Sequence, residues 1–220
     1  MSTLFERSAA QEEAGPRREV RIAAGTVTNN VDLLMEGKIL VRLPALDQEV
    51  WARLTAIGAG DGAGFFYVPR MHDEVLVALA GDDPTDAFVV GGLWNDRDRV
   101  PVTDPLTAPS TRVIRSGVGA GSGHEIVLDD LLQSVTITTA TKQKIVMDPT
   151  KIELTNLAGT VRISLDNKGQ AVSITAAASI ELKAPKISLE GGTVEINGVA
   201  ATTVKSGTVC NVTAPLVKIN

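Results

Sequence analysis

Polar and apolar residues alternate along most of the chain from Val20 onward, but in two different rhythms. Between Val20 and Trp94 the runs are long enough for ordinary strands: VRIAAGTVTNN, GKILVRLPAL with Ile39, Val41 and Leu43 on one side, EVWARLTAI, GFFYVP, DEVLVALAG and DAFVVGGLW. A period of two predicts half-buried strands, and Gly, Pro or Asp in GAGDGAG and GDDPTD separates one from the next. About five short strands in this span predict a small closed barrel of the oligonucleotide-binding (OB) type, since closure removes exposed edges.

From about His124 the units shorten to HEIVLDD, SVTITTA, QKIVMDP, TKIELTN, TVRISLDN, AVSITAA, SIELKAP, KISLEGG and TVEING. Apolar residues pair at i and i+2: Ile126/Leu128, Val135/Ile137, Ile145/Met147, Ile152/Leu154, Val161/Ile163, Val172/Ile174, Ile180/Leu182, Ile187/Leu189 and Val194/Ile196. Successive pairs are usually 7 to 11 residues apart, tightening to 7 through Ile180, Ile187 and Val194, a sustained internal repeat. Two apolar side chains per rung bury too little surface to offset the entropy of ordering the strand. Three identical chains, each supplying one face of a triangular prism, would close that core with the paired residues on the axis. The predicted fold class is therefore all-β: an N-terminal OB-fold barrel followed by an intertwined trimeric triple-stranded β-helix, an obligate homotrimer.

Polar residues such as Glu181, Lys183, Lys186 and Glu190 alternate outward, while Pro185, Gly191, Gly192, Gly198 and Pro215 fall between rungs. Longer corner loops are expected at 156–160 and 166–171. The domain plan is a tail over 1–19, with a short helix or a flexible segment both compatible, a barrel over 20–95, a linker and neck over 96–123, and the needle over 124–220. The linker is charged, then marked by Pro101, Pro105 and Pro109, and ends in TRVIRSGVGAGSG, read as one strand running into a glycine turn.

Composition sharpens the division. All the aromatic residues (Phe5, Trp51, Phe65, Phe66, Tyr67, Phe88 and Trp94) lie in the first part, so the needle must pack Val, Ile, Leu and Met. A net charge of -5 and a pI near 5.1 supply no long-range attraction to nucleic acid or an anionic membrane. Cys210 is the single cysteine, which excludes an intrachain disulfide framework. At the predicted axis it would serve as a small buried hydrophobe. No signal peptide or membrane-spanning run is recognised, so assembly in the cytoplasm is expected.

The segments GTVTNN (25–30), GKILVRLP (37–44), GFFYVPRMHDEVLVAL (64–79), GDDPTDAFVVGGLWN (81–95) and SGHEIVLDD (122–130), with the rung tract after them, resemble the baseplate assembly protein V and VgrG group. These are the central spikes of contractile phage tails and related injection systems, and the resemblance spans residues 20 to 220. It implies a non-enzymatic trimeric spike beneath the baseplate hub, carrying a PAAR-type tip protein and driven into a target envelope when the sheath contracts. Met71 and His72 stand where the group usually has Gly before Asp-Glu-Val. Some members carry a His-x-His iron site near the C-terminus, whereas only His72 and His124 occur here, so no metal or other cofactor is expected.

Other chemistry is weighed on the same residues. Ser122, His124 and Asp129 are of the types found in a hydrolytic triad, but Gly123, His124, Asp129 and Asp130 are read as a structural neck at the first rung. His72 beside Asp73 and Glu74 is read as a solvated turn rather than a cation site. Stacking on Phe65, Phe66 and Tyr67, with Lys38, Arg42, Arg53 and Arg70 on phosphates, would make the barrel a nucleic-acid binder; alternation turns Phe66 away from its neighbours. A trimeric fibre or adhesin stalk is the other alternative, and it would need a recognition head that the aromatic-free terminal part does not offer.

Overall fold

The computed structural model describes residues 20–81, 86–117 and 123–219. The expected tail over 1–19 and Ser122 lie outside these residues. Among the described residues, strands form a closed barrel, a seven-stranded sheet and a two-stranded hairpin.

The barrel contains β1 (Val20–Asn29), β2 (Lys38–Leu43), β3 (Gln48–Leu54), β6 (Glu74–Ala80) and β7 (Ala87–Gly92). Its strand order is β1-β2-β3-β7-β6, and antiparallel pairing of β6 with β1 closes it. The parallel contact of β3 with β7, Arg53 opposite Phe88 and Leu54 opposite Val89, completes the ring. Alternation works as the sequence predicts: Ile39, Val41 and Leu43 of β2 point inward and are fully buried. Pro44, unable to donate a ladder bond, opens a short 3-10 turn over Pro44–Leu46. Gly25, also on the inner side of β1, allows β2 to approach closely.

One of the expected strands is absent from the barrel. GFFYVP forms no barrel strand: only the hairpin of β4 (Ala59–Gly60) and β5 (Ala63–Gly64) interrupts the connection from β3 to β6, and residues 65–70 are irregular. The buried core is wholly aliphatic, built from residues such as Val27, Ile39, Val50, Val75, Val77 and Val89. A five-stranded ring this narrow has room for thin side chains only, which leaves Trp51, Phe65, Phe66, Tyr67 and Trp94 on the outside.

The second sheet is an uninterrupted antiparallel meander of β8 (Thr111–Arg115), β9 (Glu125–Asp129), β10 (Ser134–Thr138), β11 (Lys144–Met147), β12 (Lys151–Thr155), β13 (Arg162–Asp166) and β14 (Ala171–Thr175). It takes in Thr111–Arg115, which the sequence reading places in the linker. Residues 176–219 form a separate unit and make no strand pairing with any described residue. Ile180/Leu182, Ile187/Leu189 and Val194/Ile196, expected as rungs, are thus not strands of this chain's own ladders, and all are exposed in the isolated chain.

Spacing alone does not set this change: the seven-residue interval from Ile145 to Ile152 accommodates the reversal from β11 to β12, whereas the same interval from Ile180 onward is accompanied by no pairing among the described residues. The backbone N–H and C=O groups of residues 176–219 thus find no ladder partner in their own chain.

Candidate trimerization interface

Register in the meander gathers apolar side chains into two rows on one face. In the first, Ile126 pairs with Ile137, and the line continues through Ile145, Leu154, Ile163 and Ile174. In the second, Leu128 pairs with Val135, followed by Met147, Ile152, Leu165 and Val172. Cross-strand partners share a face, so this register sets a continuous apolar surface on one side of the sheet. Several members remain open in the isolated chain, from 36% for Ile126 and Met147 to 69% for Val172. A contiguous apolar face of this extent marks an interface.

Two members escaped the sequence reading. Leu165, not Val161, partners Ile163 within β13, and Ile114 heads the first row opposite Ile126. Aligning RISLD on its aspartate, as in EIVLD, would have found Leu165. Ile114 was hidden because adjacent Val113 and Ile114 leave the inward side of TRVIR ambiguous.

The opposite face is mixed and carries ion pairs. Glu153, with its side chain only 15% exposed, lies 3.2 Å from Lys151 Nζ and 3.7 Å from Arg162 Nε. Arg115 pairs with Glu125 at the head of the sheet. Because the cations are about half open to water, each pair is worth no more than about 1 kcal/mol.

Turns on one edge of the sheet use a common device. Asp129 accepts the backbone N–H groups of Leu131 and Leu132, Asp166 those of Lys168 and Gly169, and Asp148 those of Thr150 and Lys151. The Thr150 hydroxyl also donates to Asp148 at 2.6 Å, and this bond, followed by the Thr150 N–H, lowers the carboxyl below the ordinary aspartate range. A depressed folded value means that the contribution is complete above the ordinary range and is lost as pH falls through the folded value. Thermal unfolding followed against pH should therefore show stability declining below about pH 4. Asp148→Ala should lower stability at neutral pH and flatten that acid limb.

At the neck, Ser116 N donates to His124 O at 2.9 Å and His124 N donates to Ser116 Oγ at 3.3 Å, joining the ends of β8 and β9. Gly123 has φ +135°, and a Cβ there would collide with the Ser116 carbonyl. Asp130 N donates to Ser110 O at 2.9 Å, and its carboxylate lies 3.9 Å from Arg112 Nη2. His124 precedes the five-residue strand that Asp129 ends, a separation of about 17 Å at the usual rise. The structure brings Gly123 and His124 together at one end of β9 and Asp129 and Asp130 at the other, so no triad geometry exists.

Residues 23–94 match the Type VI secretion system/phage-baseplate injector OB domain. Residues 135–211 match a second family, Gp138, beta helical trimerization domain. The chain carries the two domains of a baseplate spike protein. None of the curated proteins matches it. Both matched domains are structural and non-catalytic, and the trimerization domain supports assembly as a homotrimer. The exposed apolar rows of the meander and the residues beyond it, which pair with no described strand, both fall largely within the matched trimerization domain.

The spike's barrel offers little to nucleic acid. Lys38 pairs with Glu36, Arg42 with Asp47 and Arg70 with Asp73, while Arg53 lies 4.6 Å over the Phe88 ring. Each cation named for phosphate contact is already engaged. Retention of the full-length spike on single-stranded DNA should be negligible at 50 mM salt, a cheap column measurement. His72 is a turn residue with φ 71°, its N–H bonded to Val27 O at 2.9 Å. Neighbouring Asp73 accepts from Arg70 N, and Glu74 from Asn95 Nδ2. Among the described residues, no helix is long and apolar enough to cross a membrane.

Proposed function

We propose that the spike links a baseplate hub to a separate tip protein and is pushed through a target envelope when a sheath contracts. The observation that carries this reading is the apolar face of the meander together with residues 176–219, which have no strand partner in their own chain. Three copies sharing that face form an axial prism. On the proposed axis lie Ile114, Ile126, Leu128, Val135, Ile137, Ile145, Met147, Ile152, Leu154, Ile163, Leu165, Val172 and Ile174, followed by Ile180, Leu182, Ile187, Leu189, Val194 and Ile196. Backbone bonds along the prism then transmit axial force, since none can break without disrupting a neighbour.

The barrel end supplies a surface for the hub. Asp32 accepts the N–H of Leu34 at 3.1 Å and of Lys38 at 3.0 Å, fixing a loop that holds Leu33, Leu34 and Met35 in solvent. Those N–H groups, that of Lys38 foremost, lower the Asp32 carboxyl below its usual range. At the other end the final strands present open edges, which a PAAR-type cap would cover.

Imaging the parent particle with the spike labelled tests the reading. Label on the particle axis, beneath the hub, is the expected result. Attachment at the periphery would overturn it in favour of a fibre stalk.

A further inference from the structure

We infer that the aromatic loop between β3 and β6 docks onto a second copy of the chain, extending the trimer interface from the needle to the barrels. The loop has a defined shape: β4 and β5 pair within it, and Phe65 N donates to Ile57 O at 3.1 Å. Its far end is held where Arg70 N donates to Asp73 Oδ2 at 2.8 Å and Asp73 N to Arg70 O at 3.1 Å. On this frame the Phe65 and Tyr67 rings stack with centroids 6.5 Å apart and planes 6° from parallel. Both rings stand about half open, Phe66 is 76% exposed and Ile57 is 87% exposed.

From Ile57 to Val68 the sole charged residue is Asp61. A shaped loop that displays aromatic side chains with so little charge has the composition of an interface centre rather than a solvated connection.

Its location selects the occupant. The Arg70 guanidinium donates to Gly117 O at 3.4 Å, so the end of the aromatic loop touches the chain just beyond β8. Gly117 is three residues past Ile114, the first member of the apolar row in the meander. The far end of the loop thereby lies beside the head of the sheet whose face carries the apolar rows. In a threefold assembly each copy places its loop at the same level, where the head of the next copy's sheet also lies. The needle already holds the chains together, so docking costs little further association entropy. Arg70 serves as the brace between loop and sheet.

Site-specific photocrosslinking in the full-length trimer tests the inference. Phe65→p-benzoylphenylalanine preserves an aromatic side chain, and Phe66→p-benzoylphenylalanine provides a second position should the first disturb folding. Each variant is first confirmed as a trimer by mass and then irradiated at dilute concentration. Interchain dimer and trimer bands at least fivefold above the unirradiated sample are expected, with adducts mapping to the neighbour's 55–70 loop or its 111–117 segment. Intact trimers that give only intrachain products would overturn the proposal and leave the loop free for a different protein.

Discussion

Ile163→Asp is expected to abolish the trimer and yield monomers or aggregates. Ile163 lies in the first apolar row between Leu154 and Ile174, and in the proposed threefold assembly three copies of it would meet near one axis. Each aspartate would enter an apolar layer without a cationic partner, beside two like charges. Leaving a charge buried and unpaired costs upwards of about 4 kcal/mol per chain, or else forces its protonation. The same outcome is expected at Ile152, Ile174, Ile187 and Ile196. Lys183→Ser or Lys186→Ser, on outward positions, should change stability by no more than about 0.5 kcal/mol. Light scattering decides the matter, because the wild type should have three times the chain mass of 23.1 kDa. An Ile163→Asp protein with that mass and an unchanged melting temperature would show that this residue faces away from the axis.

Gly25→Val should unfold the barrel while sparing the trimeric needle. A Cβ on Gly25 would sit 2.5 Å from Val41 Cγ1, 2.7 Å from Leu43 Cδ2 and 2.9 Å from Arg42 O. None of these neighbours can yield easily: Val41 and Leu43 are fully buried, and the third is backbone. Valine adds two further methyl groups to that clash, so the cost should reach about 3 kcal/mol or more. Limited trypsin digestion with mass analysis should degrade residues 20–95 rapidly and leave a trimeric fragment containing the meander. Wild-type resistance of the barrel would mean that β1 and β2 are farther apart than the structure places them.

The barrel was legible because its strands alternate with a period of two, with Ile39, Val41 and Leu43 inward, whereas the close approach of β2 at Gly25 emerged only from the structure. GFFYVP misled for a physical reason. Aromatic side chains favour strands and favour exposed docking loops alike, and one sequence does not distinguish burial inside a barrel from burial against another molecule. In the needle, apolar pairs exposed the repeat, yet the interval between pairs does not tell where the chain reverses: seven residues separate Ile145 from Ile152, across which β11 turns back into β12, and seven separate Ile180 from Ile187, where no ladder forms in the chain. The neck residues were read together because they are close in sequence, whereas β9 separates Gly123 and His124 from Asp129 and Asp130.

Because residues 176–219 find no ladder within their own chain, a mature spike should not trade subunits with its neighbours. Withdrawing one copy would mean breaking the strand pairings it shares with the other two before any replacement could form. Completed molecules should therefore persist through a kinetic barrier as well as a favourable equilibrium, so that spikes made from differently labelled chains remain unmixed for as long as they stay folded.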